Sequence, residues 1–317
     1  MHKYIARRLF YAVPALLGVT IIVFLTMRVL PGDVLSAMFG EGAVRLTEQE
    51  RQHAISTLGL NKPLHQQYLG WIKDVVTGKL GESFWRGDKI ADLVKRRGFI
   101  TGEIAILAVL FSWLVGLPVG ILGAVRQNSV PDYASRIFAV LFLAIPGFWL
   151  GAVIALALLL WFGYRAPLGI IFPWDDFIGN LKIVIGPAVV LGLAQSAYIA
   201  RLTRSTLLEV IREDYIRTAR AKGLREQAVI WRHALQNALL PVITLSGVLF
   251  GFLLGGSVAV EVAFGVPGLG TALVKAFNEN DHMVIQNLVL LYGVVFVVIN
   301  LLVDLTYAWL DPRIRYT

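Results

Sequence analysis

Six uncharged apolar stretches constrain this chain more than any other feature: Leu9–Met27, Ile104–Val125, Ile137–Gly163, Ile183–Ala200, Ala238–Val260 and Met283–Val303. Crossing a hydrocarbon core takes roughly 17–25 apolar residues in a helix, and each stretch meets that length without a Lys, Arg, Asp or Glu. Their apolar character runs round the whole helix, as expected where lipid and protein neighbours are both apolar. With 57% hydrophobic and 16% charged residues over 317 positions, and a mean hydropathy of +0.69, too little polar surface remains to cover a soluble core. The expected fold class is all-α, a polytopic membrane protein with six transmembrane helices. Pro14, Pro118, Pro146, Pro187 and Pro241 lie in or near the spans, where neighbouring helices tolerate kinks.

Lys3, Arg7 and Arg8 precede the first span like the basic region of a secretory signal. The apolar run is too long for that, however, and Leu30-Pro31-Gly32-Asp33 follows it rather than a small-residue cleavage site, so an uncleaved first helix is expected. Orientation follows from Lys and Arg in the short loops. The N-terminus, the second–third connection (Arg126, Arg136), the fourth–fifth connection and the C-terminus (Arg313, Arg315) are rich in them. The third–fourth connection (Arg165, Lys182) and the fifth–sixth (Lys275) are poorer. Both termini are therefore expected in the cytoplasm. This places 1–30 as an N-terminal stub and first helix, 31–103 outside, 104–311 as a five-helix core, and 312–317 as a cytoplasmic tail. The outer segment carries a Thr47…Glu50 capping-box spacing and a helical stripe at Leu64, Tyr68, Ile72 and Val75. A small helical insertion is expected there, with a solvated loop as the plainer alternative.

The net charge of +8 sits beside the apolar runs rather than in one patch, which argues against nucleic acid as a partner and for lipid. The absence of cysteine excludes disulfides and thiolate chemistry. No phosphate-binding Gly-x-x-x-x-Gly-Lys-Ser/Thr loop is present; the nearest run, Gly81 to Asp88, has the wrong spacing. All five histidines (His2, His53, His65, His233, His282) fall outside the spans, leaving no metal ligands at depth. No Gly-x-Ser-x-Gly elbow appears, so no catalytic residue, metal or bound cofactor is expected. The spans also lack acids, which disfavours the competing class, an ion-coupled carrier; Glu261 and Asp304 are expected at span ends. Gln195, Ser196, Ser246 and Ser257 are candidates to line a path for a polar solute. Interhelical hydrogen bonding is the blander reading of the same four.

The inner connection 201–237 is too long for a turn. Leu208, Ile211, Tyr215 and Ala219 form one stripe at helical spacing; Trp231, Ala234, Leu235 and Ala238 form another. Gly223 between them suits a left-handed residue that ends one helix and reverses the chain. The expected product is a helix–turn–helix projecting from the membrane with a basic exposed side. Such a handle suits docking of a motor protein, with charge supplying orientation and on-rate; a basic loop that acts only as a topology signal is the plainer reading of the same residues.

The run Glu213-Asp214-Tyr215-Ile216-Arg217-Thr218-Ala219-Arg220-Ala221-Lys222-Gly223-Leu224, followed by His233-Ala234-Leu235 and Asn237-Ala238-Leu239-Leu240-Pro241, resembles the cytoplasmic signature of binding-protein-dependent ABC importer permeases. It is closest in character to the dipeptide/oligopeptide/nickel branch. Leu30-Pro31-Gly32-Asp33, Leu58-Gly59-Leu60 with Pro63, Pro267-Gly268-Leu269-Gly270, Asn300-Leu301 with Val303-Asp304, and Asp311-Pro312-Arg313-Ile314-Arg315-Tyr316 match in order. Arg217, Thr218 and Ala219 stand where the general pattern has Glu-Ala-Ala, and Leu240-Pro241 comes later than in that pattern; both departures resemble the peptide branch. The resemblance implies a type I importer permease fold in a bacterial inner membrane, with an external insertion after the first helix. It implies a coupling loop at Asp214, Tyr215, Arg217, Thr218, Ala219, Arg220, Lys222, Gly223 and Leu224. It further implies a second homologous permease, two ATPase subunits holding ATP and Mg, and an extracytoplasmic substrate-binding protein docking on 31–103. The implied substrates are short peptides, including glutathione-like molecules, with nickel as the alternative within the branch.

Overall fold

Five of the six apolar stretches each fall within a single helix, and Ile137–Gly163 falls on two, in the computed structural model, which describes residues 2–29, 47–49, 52, 61–83, 86–165, 167 and 169–310. In chain order the helices are α1 (His2–Val29), α2 (Leu64–Val76), α3 (Ile90–Val125), α4 (Val130–Ala144), α5 (Gly147–Phe162), α6 (Phe177–Val210), α7 (Asp214–Ala221) and α8 (Glu226–Ala228). A π-helical turn, Val229–Ala234, then leads into α9 (Leu235–Phe264), α10 (Leu269–Asn278) and α11 (His282–Leu310). The described residues include one isolated antiparallel bridge, Glu82 to Lys89. The motif segments at 30–33, 58–60 and 311–316 lie outside the described residues, as does Glu50 of the capping-box run.

Prolines 14, 118, 187 and 241 are carried inside helices, whereas Pro146 is not. The stretch expected as one span over Ile137–Gly163 is divided into α4 and α5, bent by 96°. The residue before a proline is pushed out of the helical region, and Ile145 sits at φ −80°, ψ 122°. A second bend, of 83°, separates Gly255–Phe264 from α10. Gly265, at φ +65°, ends α9 there.

The backbone of the bundle is the α3–α6 pair, the most extensive helix contact. Small residues make it close. A Cβ on Gly116 would lie 2.7 Å from the Ser196 carbonyl oxygen, and one on Gly120 2.6 Å from that of Ala200. Such spacing of small residues lets membrane helices approach where packing, not water exclusion, drives association. Around this seam Ile100, Ile104, Ala108, Ile183 and Val190 are buried against Leu253, Val260 and Phe264 of α9 and Ile299 of α11.

Helix α1 is peripheral and packs on α11 and α2. The predicted stripe of α2 forms: Tyr68, Ile72 and Val75 are half-buried, although Leu64 is exposed. Phe24 meets Tyr68 edge-on at 5.4 Å and stacks on Trp71 at 5.9 Å, and the Tyr68 and Thr20 hydroxyls are 2.8 Å apart. Helix α3 is continuous from Ile90, well before its apolar stretch begins at Ile104. At 1.5 Å per residue it is about 54 Å long, so it outruns a hydrocarbon core of about 30 Å. Its two ends belong to different packing clusters. Ile90 joins Leu269, Ala272 and Leu288, while Ile121 and Ala124 join the cluster under α7.

Candidate functional site

Helix α7 is eight residues long, too short to persist alone in water, so its geometry depends on its ends and its buried side. Asp214 in the first turn suits the positive end of the helix dipole and accepts from Arg217 at 3.1 Å. At the other end Gly223 is left-handed, at φ +76°. Its N–H donates to the Arg220 carbonyl at 2.9 Å, and the Leu224 N–H donates back to Ala219 at 3.4 Å. This pair of bonds, closing four- and six-residue loops over the last carbonyls, is the Schellman arrangement that the glycine position predicts. Arg220 pairs with Glu226 at 2.7 Å, across the reversal. The carboxylate raises the Arg220 guanidinium above its ordinary value.

The buried side of α7 consists of Ile216 and Ala219. They pack with Ile121 and Ala124 of α3, Leu207 of α6, Val229 and Ala234 of the π turn, and Leu235 and Ala238 of α9. The Thr206 hydroxyl donates to the Ala238 carbonyl at 3.0 Å, and Asn237 donates to the Tyr215 hydroxyl at 2.8 Å. Of the nine residues expected to form the coupling loop, Asp214, Tyr215, Arg217, Thr218, Arg220, Lys222, Gly223 and Leu224 are exposed together; Ala219 faces inward. The two stripes need correction. The chain leaves helix between Val210 and Asp214, which resets the phase, so Ile216 rather than Tyr215 is buried. The wide π turn likewise brings Val229 and Ile230 inward and leaves Trp231 61% exposed.

Beside this surface the sequence reading missed a clamped carboxylate. Asp132, fully buried in the first turn of α4, accepts two hydrogen bonds from Arg136 (2.7 and 3.1 Å), two from Arg204 of α6 (2.6 and 3.1 Å), and one from the Asn128 N–H at 2.9 Å. Bidentate arginine pairing of this kind fixes geometry as well as charge. The Asp132…Arg136 spacing was a usable signal, but Arg136 reads first as a topology marker.

At the opposite end Glu261 lies near the end of α9, as expected, yet is fully buried. Its carboxylate accepts from Thr101 (2.8 Å), Ser257 (3.2 Å) and the N–H groups of Gly270 (2.8 Å) and Thr271 (3.2 Å). It thereby satisfies the first amides of α10, which have no partner within the helix. A Cβ on Gly268 or Gly270 would come within 2.3 and 2.8 Å of this carboxylate, which explains the glycines of Pro267-Gly268-Leu269-Gly270.

The four candidate path residues are all buried. Gln195 donates to the Leu249 carbonyl at 3.1 Å, Ser196 to Leu193 at 2.6 Å, and Ser257 to Glu261. Ser246 accepts from the Trp113 indole at 2.8 Å and lines a cavity of about 310 Å³ with Thr244, Phe250 and Thr306.

The family model for the binding-protein-dependent transport system inner membrane component matches residues 116–316, and the N-terminal model of the same system matches residues 1–97. The chain is 37% identical over 319 residues to the oligopeptide transport system permease protein AppB of Bacillus subtilis, covering 100% of both. It is 36% identical over 336 residues to the di/tripeptide transport system permease protein DppB of Pseudomonas aeruginosa, covering 100% of this chain and 99% of that one. Among solved structures, an inward-facing MetNI methionine ABC transporter chain superposes with a TM-score of 0.57 at 19% identity, over 69% of this chain and 96% of the other. That likeness is one of fold, and it is the fold of an ABC importer permease. The chain therefore belongs to the binding-protein-dependent transport system inner membrane component family, as a multi-span permease subunit.

Proposed function

We propose that this permease admits short peptides, di- to oligopeptides or glutathione-like molecules, and is driven by ATP bound with Mg on separate ATPase subunits. It works as one of two homologous permeases over a pair of ATPases, and an extracytoplasmic binding protein delivers the substrate. The relatives' peptide-transport names support the substrate class. The observation that carries the mechanism is α7: eight expected coupling residues are exposed together, while Ile216 and Ala219 root the helix among α3, α6 and α9. A force applied to the exposed side is transmitted to three spanning helices at once, because packed interiors do not deform continuously. The coupling loop 201–237, both termini and the tail 312–317 then lie in the cytoplasm, and 31–103 outside, as the Lys and Arg distribution supports.

The test is Gly223→Asp in the reconstituted importer. ATPase association and ATP-driven peptide uptake are expected to fall while membrane insertion persists; unchanged uptake and association would remove the coupling role. Labelling of Lys222 from the outer face would refute the orientation. Deleting 47–77 should abolish delivery by the binding protein and leave insertion intact.

A further inference from the structure

The end of α3 away from α7 carries a feature that the coupling role does not use. Before its apolar stretch, α3 and the segment leading into it present Arg86, Lys89, Arg96 and Arg97 together with Asp88 and Asp92. These six line a recess of about 450 Å³, closed on its other side by Gly169, Ile170 and Pro267. That volume falls within the roughly 300–1,000 Å³ of small-ligand sites.

The charges are poorly spent within the protein. Arg86 is held by Glu279 at 2.5 Å. Among the described residues, Arg96, Arg97, Lys89, Asp88 and Asp92 make no ion pair. Arg97 is half-buried, and its one hydrogen bond, to the Gly268 carbonyl, is long at 3.5 Å. A guanidinium has five N–H donors in a fixed fork, so most of those of Arg97 are unused in a partly desolvated place, where Arg86 and Arg96 repel it and Glu261 and Asp88 attract it without a direct ion pair. Removing charge from water without a partner is costly, and a carboxylate is the group whose geometry the fork matches. Asp88 and Asp92 offer the complementary pole for an ammonium. Asp92 and Arg96 stand one helical turn apart, with Cβ atoms about 5–6 Å from each other. An extended dipeptide spans about 7 Å, so opposite poles on one helix face suit a molecule with a charge at each end.

We propose that this recess is a binding site for free peptides. It holds the terminal carboxylate against Arg96 and Arg97, and the terminal ammonium at Asp88 and Asp92, at the outer mouth of the permease. The inference rests on the peptide-import reading. It adds that the permease itself reads both peptide termini, independently of the binding protein.

The test uses the assembled importer, both permeases with their ATPases, in nanodiscs without the binding protein. Saturation-transfer NMR gives the affinities of dialanine, its C-terminal amide and its N-acetyl form. Dialanine is expected to bind about tenfold or more tighter than either capped form, the scale of one charge-assisted hydrogen-bonded contact. Arg96→Gln, at an exposed position, should weaken dialanine to the level of the amide and leave the amide unchanged. Asp92→Asn should do the same with respect to the N-acetyl form, and Arg97→Gln should match Arg96→Gln if the fold holds. Dialanine affinity untouched by Arg96→Gln and Asp92→Asn overturns the proposal. So does an equal loss for all three ligands, which marks a structural role or a docking surface for the binding protein. ATP-driven dialanine uptake by the unaltered importer with its binding protein, run in parallel, separates the two readings. Uptake with an insensitive recess leaves import standing and removes this site; no uptake removes both.

Discussion

Gly223 offers the sharpest perturbation because its environment isolates one cause. It sits at φ +76°, and a Cβ built on it meets nothing within 4 Å. Gly223→Ala therefore introduces no clash; its cost is the left-handed backbone alone, about 1–2 kcal/mol for an ordinary L-residue. Because α7 is too short to stand without its ends, that cost falls on the reversal held by the Gly223 and Leu224 amides. The local opening equilibrium should rise about 5–30-fold. Hydrogen exchange on the purified complex, followed over a peptide spanning 214–228, reads this as loss of protection by the same factor, with α3 and α6 unaffected. Gly223→Asn, a residue that visits the left-handed region more readily, should lose less. Unchanged exchange in Gly223→Ala would falsify the claim that backbone handedness is what the position supplies. If exchange held but ATPase stimulation fell equally for Ala and Asn, the glycine would be needed for close approach of the partner instead.

Three further outcomes follow from the packing. Asp132→Asn leaves two arginines around a buried neutral amide; breaking such a cluster costs about 3–5 kcal/mol, so the thermal midpoint of the detergent-purified protein should fall clearly, while exposed Arg212→Gln should not move it. Gly116→Leu places side-chain atoms where even a Cβ is 2.7 Å from the Ser196 carbonyl, so folded, membrane-inserted protein should be lost on size exclusion; Gly102→Ala, with open space around it, should be neutral or stabilising by about 0.5–1 kcal/mol. Glu261→Ala leaves the Gly270 and Thr271 amides and the Thr101 hydroxyl without their acceptor at about 1–3 kcal/mol each, so exchange at the start of α10 should accelerate and that of α7 should not.

The spans were legible because length and absence of charge are properties of each segment by itself. The glycine reversal was legible for the same reason: a left-handed position following a short basic helix is local chemistry. Which side of α7 is buried was not, since the break at 211–213 and the π turn each rotate the pattern by an amount that periodicity does not carry. Asp132 and Glu261 were missed as organising groups because their partners, Arg204 and Thr101, lie 72 and 160 positions away. A carboxylate at the end of an apolar run looks interfacial until the helix it caps is known. The division at Pro146 was half-visible. A proline inside an apolar run signals either a tolerated kink or a break, and Pro118 and Pro187 took the first course.

That division limits what can surround α4 and α5. At 15 and 16 residues, each arm is about 22–24 Å long and falls short of a hydrocarbon core of about 30 Å. The 96° corner also strands the last carbonyls of one arm and the first amides of the other, and hydrocarbon offers them nothing. Ala144, Pro146, Phe148 and Trp149 are uncovered there in the single chain. Wherever this corner lies at hydrocarbon depth, its neighbour must therefore be another polypeptide or an aqueous passage rather than acyl chains.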